Sequence, residues 1–375
     1  MASIHPHSMR NDSLSTSNDP LSAHLDPWQA FSGHEQVVVA QLRGVRIVVA
    51  LHSTVLGPAL GGTRMALYSD EPSPGAAAYR DALRLSQAMT LKNSLAGLDH
   101  GGGKAVILAD PNAKSVEVLH AYGELVAGLD GRYVTAGDVG MTVHDMDTIG
   151  EVCRWTTGRS PENGGVGDSG ILTAFGIFEG LRASAEVIWG STDLSGRLVG
   201  VVGVGKVGGR LVGHLMDAGA RVVAIDPSGP ARQAVSDAHS EVRFVDSVDS
   251  LLAEPLDVLS PNAMGGFLTA ERAARVPARL VCGGANNQLA TPDVADLLAE
   301  RGIVYAPDFM VNCGGVIQVA EELVGCDLDR ARARTARVFQ TTQRVLERAA
   351  TEAITPVAAA EREAMDRVNA RAGLS

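Results

Sequence analysis

The 375-residue chain has few cysteines, few aromatic residues and no long apolar run. Its four cysteines form no C-x-x-C pair and have no histidines at zinc spacing, so we expect reduced thiols and no metal site. No apolar segment reaches the roughly 18 residues of a membrane-spanning helix. Because 43 Asp and Glu outnumber 32 Lys and Arg, nucleic acid is not expected as the main partner. A cytoplasmic protein is predicted.

Glycine, in contrast, is abundant, at 42 of 375 residues, or about 11% against a usual ~7%. The glycines follow no three-residue period, which excludes collagen, and the 45% apolar content argues against disorder. The length predicts two domains of ~150 residues each. The excess glycine is therefore expected in turns and close backbone approaches.

The chain is predicted to divide into four consecutive segments. They are a disordered extension (1–25), a mixed α/β domain (26–168), a Rossmann-type doubly wound parallel sheet (169–325) and C-terminal helices returning to the first domain (326–375). The extension lacks the apolar region of a secretory signal. The boundary between the two domains falls at the end of a turn-rich cluster, residues 158–170.

Hydrophobic periodicity predicts the main elements of both domains. The first domain has a hairpin at 36–52, a helix at 75–95 and strands at 105–108 and 133–136. The second alternates helical segments with short apolar strands, which are 197–202, 221–226, 242–245, 256–260, 279–282 and 303–306. This alternation is typical of parallel sheets.

A glycine-rich fingerprint, G-x-G-x-x-G, follows the first strand of the second domain. Its residues are Gly203, Val204, Gly205, Lys206, Val207 and Gly208. Gly203 would permit a tight turn, Gly205 would let backbone approach a pyrophosphate, and Gly208 would allow close helix–strand packing. An overlapping G-x-x-x-x-G-K match to a phosphate-binding loop is disfavoured, because the next residue has no hydroxyl for Mg²⁺.

The acid expected of a dinucleotide-binding unit is Asp226, which ends the next strand 18 positions after Gly208. Its carboxylate would hold the ribose hydroxyls of the adenosine. Pro227 and Ser228 follow, rather than an arginine suited to a 2′-phosphate. This arrangement favours NAD over NADP.

Two lysines and an aspartate in the first domain are candidates for chemistry. Lys92 shares a helix face with Leu85, Ala88, Met89, Leu95 and Ala96, while Arg84, Gln87 and Ser94 are predicted on the outer side. A lysine there must snorkel, pair or bind an anion. Lys104 follows Gly101–Gly103, which are expected to bring backbone close to a ligand. Lys104 is either solvated or a base of lowered pKa held beside that ligand. Asp138 ends an apolar strand, as a turn former or an acid/base group.

Seven segments resemble the amino-acid dehydrogenase family, which covers glutamate, leucine, phenylalanine and valine dehydrogenases. They are LGPALGGTRM (56–65), AMTLKNSLAGLDHGGGKAVI (88–107), RYVTAGDVG (132–140), CRWTTGRSPENGG (153–165), GVGKVG (203–208), CGGANNQLA (282–290) and YAPDFMVNCGGVIQVA (305–320). The resemblance spans residues 36–350. It departs from the family pattern at Gly137 and Cys313.

The resemblance implies a role for each matching residue. Lys92 would bind the substrate carboxylate, Lys104 would activate water, and Asp138 would shuttle a proton. Backbone at Gly61 and Gly62 would line the reacting carbon. Cofactor contacts are implied for Thr173, Ala263, Asn286 and Asn312, with Asn286 also near the substrate. The side-chain pocket would comprise Leu60, Met89, Ala136, Val316 and Val319.

The implied activity is NAD-dependent oxidative deamination of a branched-chain L-amino acid, with L-valine favoured, to a 2-oxo acid and ammonium, and the reverse reaction. The aliphatic pocket favours this over a phenyl ring, although leucine and phenylalanine dehydrogenases remain alternatives. A dinucleotide-binding module without chemistry is disfavoured, because Lys92, Lys104 and Asp138 are all present. The family also implies a homo-oligomer and a site in the cleft between the domains.

Overall fold

The computed structural model describes residues 33–373. The predicted extension, residues 1–25, lies outside the described residues. Two β-sheets form the frame, one in each half of the described chain. None of the described helices combines the length and apolarity of a membrane span. All four cysteines are unpaired thiols.

The first sheet is mixed and has the strand order β1-β2-β4-β3-β5. Its strands are β1 (Gln36–Leu42), β2 (Val45–Ser53), β3 (Ala59–Ala66), β4 (Gly101–Leu108) and β5 (Tyr133–Gly137). β2 is antiparallel to β1 and β4, whereas β3 is parallel to both β4 and β5. The predicted hairpin and mixed α/β architecture are confirmed.

Helices cover both faces of this sheet. They are α1 (Pro74–Leu95), α2 (Val116–Ala127) and α3 (Val143–Gly150). Side chains alternate along β2, so Val48 and Ala50 pack with α1, while Ile47, Val49 and Leu51 pack with α2 and α3. The strand is therefore buried on both faces.

The three glycines before Lys104 are inside β4 rather than in a turn. We expected them to bring backbone close to a ligand, but protein atoms occupy that space. A Cβ at Gly102 would collide with the backbone nitrogen of Thr90, and one at Gly103 would come within 2.6 Å of the Tyr133 ring. These glycines let α1 and Tyr133 pack directly on the strand.

The second sheet is wholly parallel, with the order β11-β10-β9-β6-β7-β8. Its strands are β6 (Leu198–Val202), β7 (Arg221–Ile225), β8 (Arg243–Phe244), β9 (Val258–Pro261), β10 (Leu280–Val281) and β11 (Val304–Tyr305). The order reverses between β6 and β9, which is where doubly wound sheets bind dinucleotides. The predicted Rossmann-type sheet is confirmed.

The helices of the second half connect these strands and then continue to the C-terminus. They are α4 (Gly170–Trp189), α5 (Gly208–Asp217), α6 (Gly229–Ala238), α7 (Val248–Leu252), α8 (Ala270–Ala273), α9 (Val294–Glu300), α10 (Asp308–Val311), α11 (Gly314–Glu321), α12 (Leu328–Thr335), α13 (Val338–Glu352) and α14 (Pro356–Ala372). Short 3₁₀ turns lie at Pro111–Ala113, Pro161–Asn163 and Glu322–Val324.

The last helix returns to the first domain, as predicted, and packs on α1. The Ser94 hydroxyl donates to the Ala364 carbonyl at 2.7 Å, and Arg367 donates to the Leu98 carbonyl at 2.7 Å. Ser94 was predicted on the outer side of its helix but is buried. The prediction was wrong because α14, some 270 residues later, covers that face.

Candidate active site

A cavity of about 220 Å³ lies between the two halves of the molecule. Strands β3 and β4, the end of β5 and one face of α1 line it from the first half, and α10, α11 and the loop after β10 line it from the second. All residues predicted to act on or bind the substrate line this cavity, namely Leu60, Gly61, Gly62, Met89, Lys92, Lys104, Ala136, Asp138, Asn286, Val316 and Val319.

The two strands that flank β3 bring Lys104 and Asp138 together. Lys104 lies on β4, and Asp138 follows β5 on the other side of β3. The Lys104 Nζ is 2.5 Å from the Asp138 Oδ2. A side chain on the intervening Gly62 would place its Cβ 2.8 Å from the Asp138 Cβ, so the approach requires glycine. The lysine is 5% exposed and therefore is not a solvated surface residue.

For each residue of this pair, burial and the charge of its partner shift the pKa in opposite directions. Burial lowers the pKa of Lys104, and the Asp138 charge offsets this shift only in part. Burial alone would raise the pKa of Asp138, but the positive charges of Lys104 and Arg64 outweigh it and lower that pKa to about 2. The aspartate is thus a carboxylate near neutral pH, beside an amine that loses its proton more readily than a free lysine.

Lys92 extends from α1 toward the second half of the chain. Its Nζ donates to the Asn286 Oδ1 at 3.1 Å, and Asn312 donates to the same oxygen at 2.8 Å. Burial lowers the pKa of Lys92, while the Asp308 carboxylate opposes that shift. Among residues 33–373, no carboxylate oxygen lies within 4 Å of its Nζ. The ammonium therefore faces the cavity able to bind an anion.

One group of cleft residues was missed by sequence reasoning. The Arg64 Nε lies 3.2 Å from the Asp138 Oδ2, and its Nη1 lies 2.7 Å from the Asp81 Oδ2. The Tyr68 hydroxyl donates to the same Asp81 oxygen at 2.6 Å. A signal was present, since Arg64 is two residues after Gly62 on one strand face. Asp81 likewise precedes Leu85 by four, on the same helix face as Lys92.

Asp308 was also missed, although it lies in a segment quoted for the family resemblance. It is buried, lines the cavity, and accepts from the Asn287 backbone N–H at 2.5 Å and the Tyr305 hydroxyl at 3.0 Å. Burial raises the pKa of this carboxyl group. An acid just past the end of a strand such as β11 is a typical signal of an α/β site.

The glycine fingerprint forms the turn between β6 and α5. Gly203 has a φ of +88°, which favours glycine. A Cβ at Gly208 would collide with the Gly203 carbonyl oxygen, so the close packing also requires glycine. A Cβ at Gly205 would meet nothing within 4 Å, which leaves the backbone open to a ligand. The three glycines thus have three different structural requirements.

These residues fit a dinucleotide. The loop leads directly into the N-terminus of α5, and the amide groups of a helix N-terminus can bind an anion. The Asp226 carboxylate lies at the end of β7 and accepts from the Val204 backbone N–H at 2.7 Å. It is followed by Pro227 and Ser228, with no cation there for a 2′-phosphate.

A second cavity, of about 430 Å³, joins the glycine loop to the first one. Lys206, Val207 and Thr173 line one end of it, and Asp138 lines both cavities. Seven of the predicted cofactor residues line neither cavity, namely Gly203, Val204, Gly205, Gly208, Asp226, Ala263 and Asn312. Ala263 packs against Gly203, and Asn312 lies behind Asn286 and holds its amide.

Comparisons with known proteins give a consistent assignment. Residues 30–154 match the family model described as Glu/Leu/Phe/Val dehydrogenase, dimerisation domain. Residues 164–374 match the model described as Glutamate/Leucine/Phenylalanine/Valine dehydrogenase. Together the two models cover nearly all of the described residues.

Individual relatives agree. The chain is 53% identical to a valine dehydrogenase of Streptomyces albus over 340 residues, which is 90% of this chain and 92% of the relative. It is 40% identical to a leucine dehydrogenase of Geobacillus stearothermophilus, covering 89% and 90% of the two chains. The L-tryptophan dehydrogenase structure from Nostoc punctiforme is similar, with a TM-score of 0.79 and 34% identity over 91% of this chain and 97% of that one.

Proposed function

The chain belongs to the glutamate/leucine/phenylalanine/valine dehydrogenase family, and on that premise we propose that it catalyses the NAD-dependent oxidative deamination of L-valine. The products are the 2-oxo acid and ammonium, and the reverse reaction is reductive amination. One observation carries the proposal: Lys92, Lys104 and Asp138 line one side of a cleft that continues to an open glycine loop.

The cofactor is proposed to bind along the second cavity. The backbone of Gly203–Gly208 and the start of α5 would hold its pyrophosphate, and Asp226 would hold its adenosine ribose. Thr173 and Asn286, which line the two cavities, would contact the nicotinamide half. When bound, the cofactor would supply the hydride acceptor for oxidation at the substrate α-carbon. The absence of a cation after Asp226 supports NAD over NADP.

The substrate's charged groups have distinct partners. Its carboxylate would bind the Lys92 ammonium, whose hydrogen bond to the neutral Asn286 amide leaves its charge uncompensated by any bonded carboxylate. Its amine would lie toward Asp138. Asp138 is a carboxylate near neutral pH and would relay the proton of the substrate ammonium during ammonia release.

Lys104 is proposed as the general base. Burial lowers the pKa of its amine, so a larger fraction is neutral than for a free lysine, and neutral amine can take a proton from water. The hydroxide adds to the substrate imine, and the protonated lysine then stabilises the oxygen as the carbonyl forms. Exclusion of water from the cleft strengthens both effects.

The side-chain preference follows from the cavity lining. Leu60, Met89, Ala136, Val316 and Val319 are aliphatic or thioether side chains. A cavity of about 220 Å³ with this lining suits a branched aliphatic group. One methylene in such a pocket changes discrimination by only ~1–3 kcal/mol, so leucine is the nearest competing substrate.

A homo-oligomer is also proposed. The first half of the chain matches a family model described as a dimerisation domain. Within residues 33–373 its sheet ends at β1, which pairs with β2 alone and carries Val39 at 64% exposure. An edge strand with an exposed apolar residue is a plausible subunit contact. The cytoplasmic location remains a proposal supported by the four unpaired cysteines.

The test is a substrate panel with NAD and with NADP, run in both directions. The expected result is the highest kcat/KM for L-valine with NAD, followed by L-leucine, with L-phenylalanine far lower. A higher value for leucine or phenylalanine would change the substrate assignment. Dinucleotide binding without amino-acid-dependent NADH formation would instead identify a non-catalytic binding module.

A further inference from the structure

An arginine and an aspartate connect β3 and α1 to the Asp138 carboxylate. We propose that Arg64 is a positioning residue, held by Asp81, which fixes the Asp138 carboxylate beside Lys104. This inference rests on the proposed function, in which Asp138 and Lys104 exchange the protons of the reaction. Arg64 would act through Asp138 rather than on the substrate.

Two cations share one oxygen of Asp138. Lys104 donates to Oδ2 at 2.5 Å and Arg64 donates to the same atom at 3.2 Å. The Asp138 backbone N–H is fixed as well, because it donates to the Thr63 carbonyl at 3.1 Å. Rotating the carboxylate would break both charge-assisted hydrogen bonds at once. The two bonds together therefore define its orientation.

Arg64 is itself held from the opposite side. Asp81 accepts its Nη1 at 2.7 Å and also accepts the Tyr68 hydroxyl at 2.6 Å. Burial would raise the pKa of Asp81, but the Tyr68 hydrogen bond and the Arg64 charge outweigh it and lower that pKa. Asp81 thus stays ionised and anchors the guanidinium. The result is a chain of alternating charge, Lys104–Asp138–Arg64–Asp81.

This alternation gives Arg64 and Asp81 opposite effects on the pKa of Lys104. The charged groups facing Lys104 are Asp138 after β5, Arg64 from β3, and Asp81 and Lys92 from α1. The positive charge of Arg64 lowers the pKa of Lys104, whereas the negative charge of Asp81 raises it. If Arg64 and Asp81 had a purely structural role, removing either residue would shift the pKa of Lys104 in the same direction.

The experiment compares Arg64→Met and Asp81→Asn with the control Arg84→Ala. Arg84 also contacts Asp81, but it is 58% exposed on the outer side of α1, where solvent screens its charge. One readout is the pH dependence of kcat/KM for L-valine deamination. The other is the pH dependence of Lys104 acetylation by acetic anhydride, followed by mass spectrometry with Lys114 as the internal reference.

We expect Arg64→Met to move both midpoints to higher pH, and Asp81→Asn to move both to lower pH, each by on the order of one unit. Arg84→Ala should leave them unchanged. If Arg64→Met does not fold, Arg64→Lys replaces it and should keep the midpoint near wild type while lowering kcat, because the charge remains and the fork geometry is lost.

Shifts in the same direction, or no shift in folded variants, would overturn the proposal. Failure of the proposed function would look different. In that case the wild-type protein would form no NADH from any amino acid, while the acetylation midpoints would still report whether Arg64 and Asp81 act oppositely on Lys104.

Discussion

On the first-sheet side of the cleft, the site consists of buried charges that hold one another in place, whereas on the second-sheet side it consists of backbone kept free of side chains. Lys104, Asp138, Arg64 and Asp81 form a chain of alternating charge. The Gly203–Gly208 loop instead presents an open backbone face at Gly205. The first arrangement adjusts pKa values for proton transfer, and the second provides amide groups for phosphate.

The glycines of the first-sheet side and of the second-sheet side also differ in what lies beside them. In β4, Gly102 and Gly103 make room for other parts of the protein, namely Thr90 and Tyr133. In the loop, Gly205 leaves a space that no protein atom fills. The glycines of β4 are therefore explained by packing within the protein, whereas Gly205 is not.

The largest expected effect separates catalysis, which we assign to the first-sheet side of the cleft, from dinucleotide binding, which we assign to the second-sheet side. Asp138→Asn should lower kcat by ~10²–10⁴-fold, because the amide cannot carry the proton, and should leave NADH affinity near wild type. Asp226→Asn should do the reverse, with weaker NADH binding and a much smaller change in kcat. Steady-state kinetics and NADH fluorescence titration measure both. Equal losses of kcat in the two variants would contradict the assignment of catalysis and dinucleotide binding to different sides of the cleft.

A matched pair of glycine substitutions tests the second side alone. Gly208→Ala should lower the free energy of unfolding by ~1–3 kcal/mol, because its Cβ would collide with the Gly203 carbonyl. Gly205→Ala should leave stability nearly unchanged but raise the Kd for NADH about tenfold, or ~1.4 kcal/mol. Urea unfolding and fluorescence titration separate the outcomes. Unchanged NADH binding in Gly205→Ala would contradict the open-face interpretation.

Sequence reasoning succeeded where local pattern determines position. Helix periodicity placed Lys92 on an inward face, and the fingerprint spacing identified the loop glycines with their correct backbone requirements. It failed where contacts join distant segments. The Arg64–Asp81 pair joins a strand to a helix, and α14 buries Ser94, so neither follows from the local sequence. Gly101–Gly103 were misinterpreted because packing glycines and ligand-binding glycines look alike in a sequence.

The charges on the first-sheet side of the cleft should also make the free energy of unfolding depend on pH in the acidic range. The folded-state pKa of Asp138, about 2, is below its ordinary 3.8, so its stabilising contribution is complete above about pH 4 and is lost as the pH falls through 2. Between pH 5 and pH 2.5 the Asp138→Asn variant should lose roughly 1.5 kcal/mol less stability than wild type. Urea unfolding at the two pH values measures this. An identical loss of stability in both proteins would show that the ionised Asp138 carboxylate does not stabilise the fold.

The smallest effect concerns the contact that supports α1 from behind. Ser94→Ala removes the buried hydrogen bond to the Ala364 carbonyl and should cost about 1 kcal/mol of stability with kcat unchanged. The control is Thr351→Ala, an exposed hydroxyl that donates within its own helix and should change stability by less than ~0.5 kcal/mol. A fall in kcat for Ser94→Ala would mean that α14 also positions the charged side.

Lys104→Ala tests the central claim most directly, because this lysine belongs to the charged side and lies outside the glycine loop. Turnover of L-valine and the Kd for NADH are measured on the same folded preparation. The account predicts that nearly all turnover is lost while NADH binds as in wild type. Turnover retained at a substantial fraction of the wild-type rate would contradict it.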